Sequence, residues 1–166
     1  MLYLLDANVL IDADRDFYSI ERVPEFWEWL QHHGGLGNVK LCIEIYEELT
    51  QGRGTLSEWL KRDEVKRALL SDEESDPVLV NRVVSEGYAP DLTDIEVMDI
   101  GRDPFLIAHA VTNPAIRCVV TTEVSAPSKR RQNRRVPDVC RDFNVQSCNG
   151  FSFFRALDFR TDWRAP

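Results

Sequence analysis

Four acidic residues stand where a parallel α/β chain would gather them. Asp6 ends the apolar run YLL, Glu48 lies within EIYEELTQG, Asp103 heads DPFLIAHAV and Glu123 directly follows CVVTT. A carboxylate is costly to desolvate unless a cation, a hydrogen bond or solvent meets it, so an apolar run that ends on Asp6 and then Asn8 requires a receiving group there. If the four acids meet, they repel one another, and the natural complement is a hard divalent cation, Mg2+ or Mn2+, that keeps part of its water. Each acid also has a plainer use. Asp103 before Pro104 suits a helix cap, Glu48 competes with Glu44 and Glu47 on the same helix, Asp6 can bond the next turn, and Glu123 can open a polar loop.

Convergence depends on the elements that carry these residues. Strand-like runs occur at 2–5, 39–43 and 117–122, with a weaker one at 144–148. Helical patterns lie between them: PEFWEWLQHH closed by Gly34 and Gly35, EIYEELTQG closed by Gly52, TLSEWLKRDEVKRALL as one helix, then DPVLVNRVVSEGY and DPFLIAHAV. Strands alternating with helices predict a parallel sheet covered on both faces. In such a sheet the residues just past each strand gather along the carboxyl edge, where α/β proteins bind ligands.

The chain of 166 residues is expected to form one domain, and its 43% hydrophobic and 29% charged residues are ordinary for a globular protein. No apolar run approaches a membrane span and the N-terminus lacks a secretory pattern, so a cytoplasmic protein is expected. Cys42, Cys118, Cys140 and Cys148 form no Cys-x-x-Cys pair, and His32, His33 and His109 show no ligand spacing, which argues for buried thiols and against zinc. His109 reads as a helix residue packing on its neighbours. A net charge of −8 argues against binding nucleic acid over the whole surface. One basic run, SKRRQNRR at 128–135, runs against that balance: it is either a solvated loop or, five residues after Glu123, a phosphate-contacting strip beside an acidic pocket. A short tail at 160–166 is expected to be flexible. Trp27, Trp29 and Trp59 belong to the core or to an interface.

The segments YLLDANVLID, EELTQG, DPFLIAHA and VVTTE, in this order, resemble the four acidic motifs of the PIN domain family, metal-dependent nucleases that include the VapC-type toxins of bacterial toxin–antitoxin pairs. The later RRVPDVCRDFNVQSC resembles a longer, less characterised PIN branch, and the likeness runs from about residue 2 to 159. It implies a three-layer α/β/α fold with a central parallel sheet of four to five strands. It also implies a pocket of Asp6, Glu48, Asp103 and Glu123 holding Mg2+ or Mn2+, with Asn8 and Thr121 as supporting polar groups. The last acid is Glu where the family more often has Asp. The activity implied is endoribonuclease, probing RNA with Lys129, Arg130, Arg131, Arg134 and Arg135, with a cognate antitoxin and a homodimer as partners. The alternative is a PIN fold kept as a non-catalytic RNA- or protein-binding module. A haloacid-dehalogenase-type phosphatase fits less well, because Asn8 stands where its general acid would be, and a receiver domain would need a paired acid and a lysine.

Overall fold

The computed structural model describes residues 1–164. Four strands, β1 (Leu2–Leu5), β2 (Val39–Lys40), β3 (Arg117–Val120) and β4 (Gln146–Cys148), form a wholly parallel sheet in the order β2-β1-β3-β4. Among the described residues ten α-helices complete a three-layer α/β/α fold. Every residue of β3 is buried, as expected of a central strand covered on both faces.

Two packed layers follow from the alternation of side chains along β1. Tyr3 points to an aromatic cluster, its ring centroid 5.2 Å from Phe153 in α10 (Gly150–Ala156), and Phe153 lies 5.5 Å from Trp29 in α2 (Pro24–Gly35). On the same layer Phe26 stacks on Tyr18 at 4.6 Å. The other layer contains α8 (Asp103–Val111), packed on β1 and β3, and α9 (Val136–Asp142), packed on β4. α8 is apolar all round, with Leu106 to Ala110 buried, the pattern of a helix enclosed by its neighbours. Trp27, Trp29 and Trp59 are all buried in the core, which settles the choice between core and interface within the chain.

Several boundaries differ from the sequence expectation, β3 ending two residues before 122 and β4 starting two residues after 144 among them. β2 is shorter than 39–43, because Leu41 leaves the strand to pair with Leu70 and Ile43 already opens α3 (Ile43–Gln51). TLSEWLKRDEVKRALL is two helices, α4 (Thr55–Leu60) and α5 (Asp63–Leu69), joined through an extended Arg62. Continuing one helix would carry the apolar stripe of Leu56, Trp59 and Leu60 onto Asp63, Glu64 and Arg67. The break instead lets Val65, Ala68 and Leu69 face the core. Gly34 and Gly35 lie inside α2 rather than after it, and Gly34 permits close contact with α5, since a Cβ there would stand 2.6 Å from Leu69 Cδ2 and 2.9 Å from the Ala68 carbonyl oxygen.

One hydrophobic core runs through the chain from β1 to α10. Within the 160–166 tail, Trp163 packs 4.9 Å from His32 and Arg164 pairs with Glu28 at 3.0 Å, while 165–166 lie outside the described residues. Among the described residues no helix is long and apolar enough to cross a membrane.

Candidate active site

The chain leaves β1 toward β2 and returns on the other side to β3, so the sheet has its topological switch between the carboxyl ends of β1 and β3. Both ends carry polar groups. Asp6 caps α1 (Ala7–Asp12), accepting the Asn8 backbone N–H at 3.4 Å, while its other oxygen accepts the Thr121 hydroxyl at 2.7 Å. Thr121 is itself buried and accepts the Glu123 backbone N–H at 3.1 Å, so one hydroxyl ties the ends of β1 and β3 together. Thr121 thus takes the expected supporting place. Asn8 supports Asp6 only through its backbone, its side chain being exposed.

Burial raises the pKa of Asp6, opposed by the bonds from Thr121 and Asn8, with Glu123 adding to the rise. Asp103 is the first residue of α8, and Arg102 rather than Asp103 occupies the cap position, with no side-chain cap bond. The capping alternative for Asp103 therefore fails. Burial, then the charges of Asp6, Glu123 and Glu48, push Asp103 up to about 8. Glu48 is raised by burial and by Asp6, and is lowered by Arg102. Glu44 faces His109, whereas Glu47 and Glu48 are both exposed, and of these only Glu48 acts on Asp103. Of the three glutamates on α3, Glu48 is the one whose charge reaches Asp103 and is felt alongside Asp6.

Glu123 is held differently. One oxygen accepts Arg135 Nη1 at 2.7 Å and the other accepts the Val136 backbone N–H at 2.7 Å. The loop after it is pinned by buried Asp138, which accepts Ser125 Oγ at 2.6 Å and the Ala126 N–H at 2.7 Å and pairs with Arg141. Asp103, Glu123, Lys129 and Arg135 share a polar cleft of about 240 Å³. No three of the four acids bring ligand atoms within 4.8 Å of one another.

The basic run divides. Arg131 makes a two-point pair with Glu96 at 2.7 and 2.8 Å and a further pair with Asp91 at 2.7 Å, and Arg134 bonds Asp142 at 2.7 Å and the Gly87 carbonyl. Both are thus fixed to the fold, unlike the free phosphate contacts expected of them. Glu96 is pre-set for this, because it completes a capping box with Thr93 at the start of α7 (Asp94–Ile100), and the Arg131 bonds hold it at about 2. Lys129 and Arg130 are exposed, Arg130 donating only to backbone carbonyls, and Arg135 lies at the cleft.

A second group was absent from the sequence reading. Cys42, Glu44 and His109 bring their ligand atoms within 4.8 Å of one another, and among the described residues they form the one such group that could hold a metal ion. His109, expected only to pack on its neighbours, lies in this group. Spacing could not show it, since residue 109 reaches residues 42 and 44 only through the packing of α8 on α3. Burial pushes the Cys42 thiol up to about 12 and holds His109 below its ordinary value.

The fold and site define a parallel α/β protein with acidic side chains at its switch point. The chain matches the family described as a domain of unknown function, DUF4411, over residues 3–161, and belongs to it. No curated protein and no solved structure matches the chain.

Proposed function

We propose that this protein is a metal-dependent endoribonuclease with a PIN-like active site, acting as the toxin of a type II toxin–antitoxin pair. The observation that carries the reading is Asp103, a half-buried carboxylate raised to about 8 by burial and by three acids drawn from β1, α3 and the end of β3. Arg135 offsets only part of this repulsion on Asp103, and the donor set, all carboxylate oxygens, suits Mg2+ or Mn2+. Asp6, Glu48 and Asp103 would hold the ion after drawing closer, since no three of the four acids now bring their oxygens within 4.8 Å of one another, with Glu123 joining directly or through water. When bound, it supplies a Lewis acid for the phosphodiester and lowers the pKa of water.

The chain's own residues do the rest. Thr121 holds Asp6 in place from below, the orienting role that fixes a ligand carboxylate. Lys129, exposed in the cleft lining, adds positive charge there, and Arg135, paired with Glu123, would be released to a phosphate if Glu123 turned to the ion. Exposed Phe17, Val124 and Phe151 border an apolar cleft next to Glu123, a surface of the kind that a protein partner covers.

A scaffold without catalysis is the second reading, favoured by one observation: both oxygens of Glu123 already have protein partners. The test is cleavage of generic single-stranded RNA by purified protein with Mg2+ or Mn2+. Activity abolished by a chelator and by Asp103→Asn supports the nuclease, and metal-independent binding without cleavage supports the scaffold. Solution mass, alone and with the neighbouring gene product, tests the dimer and the antitoxin.

A further inference from the structure

The group formed by Cys42, Glu44 and His109 lies outside the acidic edge. Cys42, two residues past β2, caps α3 with extended backbone, Glu44 lies in the first turn of α3, and His109 is in the last turn of α8. Cys42 and His109 are almost completely buried, at 0% and 2% exposure, and the Glu44 side chain is 15% exposed. Among the described residues His109 Nε2 and Glu44 Oε2 have no hydrogen-bond partner, although both are buried. They face each other at 3.9 Å, too far for a hydrogen bond. Two nitrogen or oxygen ligands on tetrahedral zinc stand about 3.4 Å apart and a sulfur–nitrogen pair about 3.6 Å, from the usual bond lengths, so a small inward movement converts this group into a ligand set.

We propose that Cys42, Glu44 and His109 form a structural site for a transition-metal dication, with the donor chemistry of zinc. Thiolate, imidazole and carboxylate are the three side chains that zinc takes, and a mixed sulfur–nitrogen–oxygen set disfavours Mg2+. The charges also close: a thiolate and a carboxylate around a dication, with neutral imidazole, leave no net charge in a buried place. On binding, the Cys42 S–H bond breaks, its proton passes to buffer, and a sulfur–metal bond forms with no change of oxidation state. The site joins α3 to α8, the helices that carry Glu48 and Asp103.

The test uses the full chain, freed of metal and titrated with Co2+, which reports thiolate ligation as a near-ultraviolet charge-transfer band. One equivalent is expected to bind, to be displaced by Zn2+, and to raise the melting temperature. The band should vanish in Cys42→Ser, and affinity should fall at least about 10-fold in Glu44→Gln, a shape-conserving change at a partly exposed position. Asp103→Asn should leave the band intact, separating this site from the acidic edge. No band in the wild-type protein overturns the proposal. So does a band that survives Cys42→Ser, which would assign the cobalt to Cys118 and Cys148, whose sulfurs are 3.6 Å apart.

Discussion

Asp103→Asn should stabilise the metal-free protein, and by an amount that depends on pH. The folded-state pKa is raised from 3.8 to about 8. Below pH 4 the carboxyl is protonated in both folded and unfolded chains and contributes nothing. Between pH 4 and 8 the folded state keeps a proton that the unfolded state has lost, so stability falls as pH rises, and above 8 the loss levels off. At about 1.4 kcal/mol per pH unit the cost reaches on the order of 4 kcal/mol at pH 7, and solvent ions around the partly open cluster reduce it to about 2–4 kcal/mol. Asparagine mimics the neutral acid and escapes this cost. Urea denaturation of both proteins at pH 5, 6, 7 and 8 with a chelator, which strips each alike, should show the variant gaining on wild type by up to about 1 kcal/mol per pH unit. Adding Mn2+ in place of chelator should reverse the order, since only the wild type then gains a ligated cation. Parallel stability curves across this pH range would refute the convergence of the four acids.

Thr121→Val removes the donor to buried Asp6 and the acceptor for the Glu123 N–H, and should cost about 1–3 kcal/mol by thermal or urea unfolding. Gly34→Ala forces a Cβ against the backbone of α5, and the same measurement should show a loss of about 1–3 kcal/mol. Replacing Lys129 and Arg130 by Gln should flatten the salt dependence of RNA binding, read by filter binding or anisotropy, with folding stability unchanged. Arg131→Gln should do the opposite, lowering stability modestly through loss of the Glu96 and Asp91 pairs, with a small effect on the salt slope.

The parallel sheet and most helices could be read directly, because burial imposes a visible period: LYLL and the CVV of β3 are short continuous apolar runs, and DPFLIAHAV is largely apolar on every face. Asp6, Asp103 and Glu123 could be read for the same reason, each falling at the end of such an element. α7 was overlooked although its signal, Thr93 followed three residues later by Glu96, is written in the sequence, because its Ile95, Val97 and Met98 leave no apolar stripe against the core and are largely exposed. The break between α4 and α5 needed the phase of the apolar stripe to be followed through Asp63 and Glu64. The fate of the arginines could not be read at all. Whether Arg131 meets a phosphate or Glu96 depends on where α7 lies, and that is a tertiary fact.

The pairing of α3 with α8 shows why the second acid resisted assignment from sequence. Glu44 and Glu48 sit one turn apart on α3, so they share a face, and residue type offers no reason to prefer one. α8 separates them. Near its carboxyl end it offers Glu44 a neutral imidazole and, with Cys42, a donor set that a dication completes. At its amino end it offers Glu48 the charge of Arg102, which lowers it, and the carboxylate of Asp103, whose pKa Glu48 raises. Two glutamates on one face thus meet opposite chemistry along a single partner helix. If both proposals above hold, the first would bind softer, sulfur-tolerant metal in the interior and the second a hard cation at the open edge, and donor type would oppose exchange between them, because no thiolate or imidazole lies among the four edge acids and the interior group has a single carboxylate.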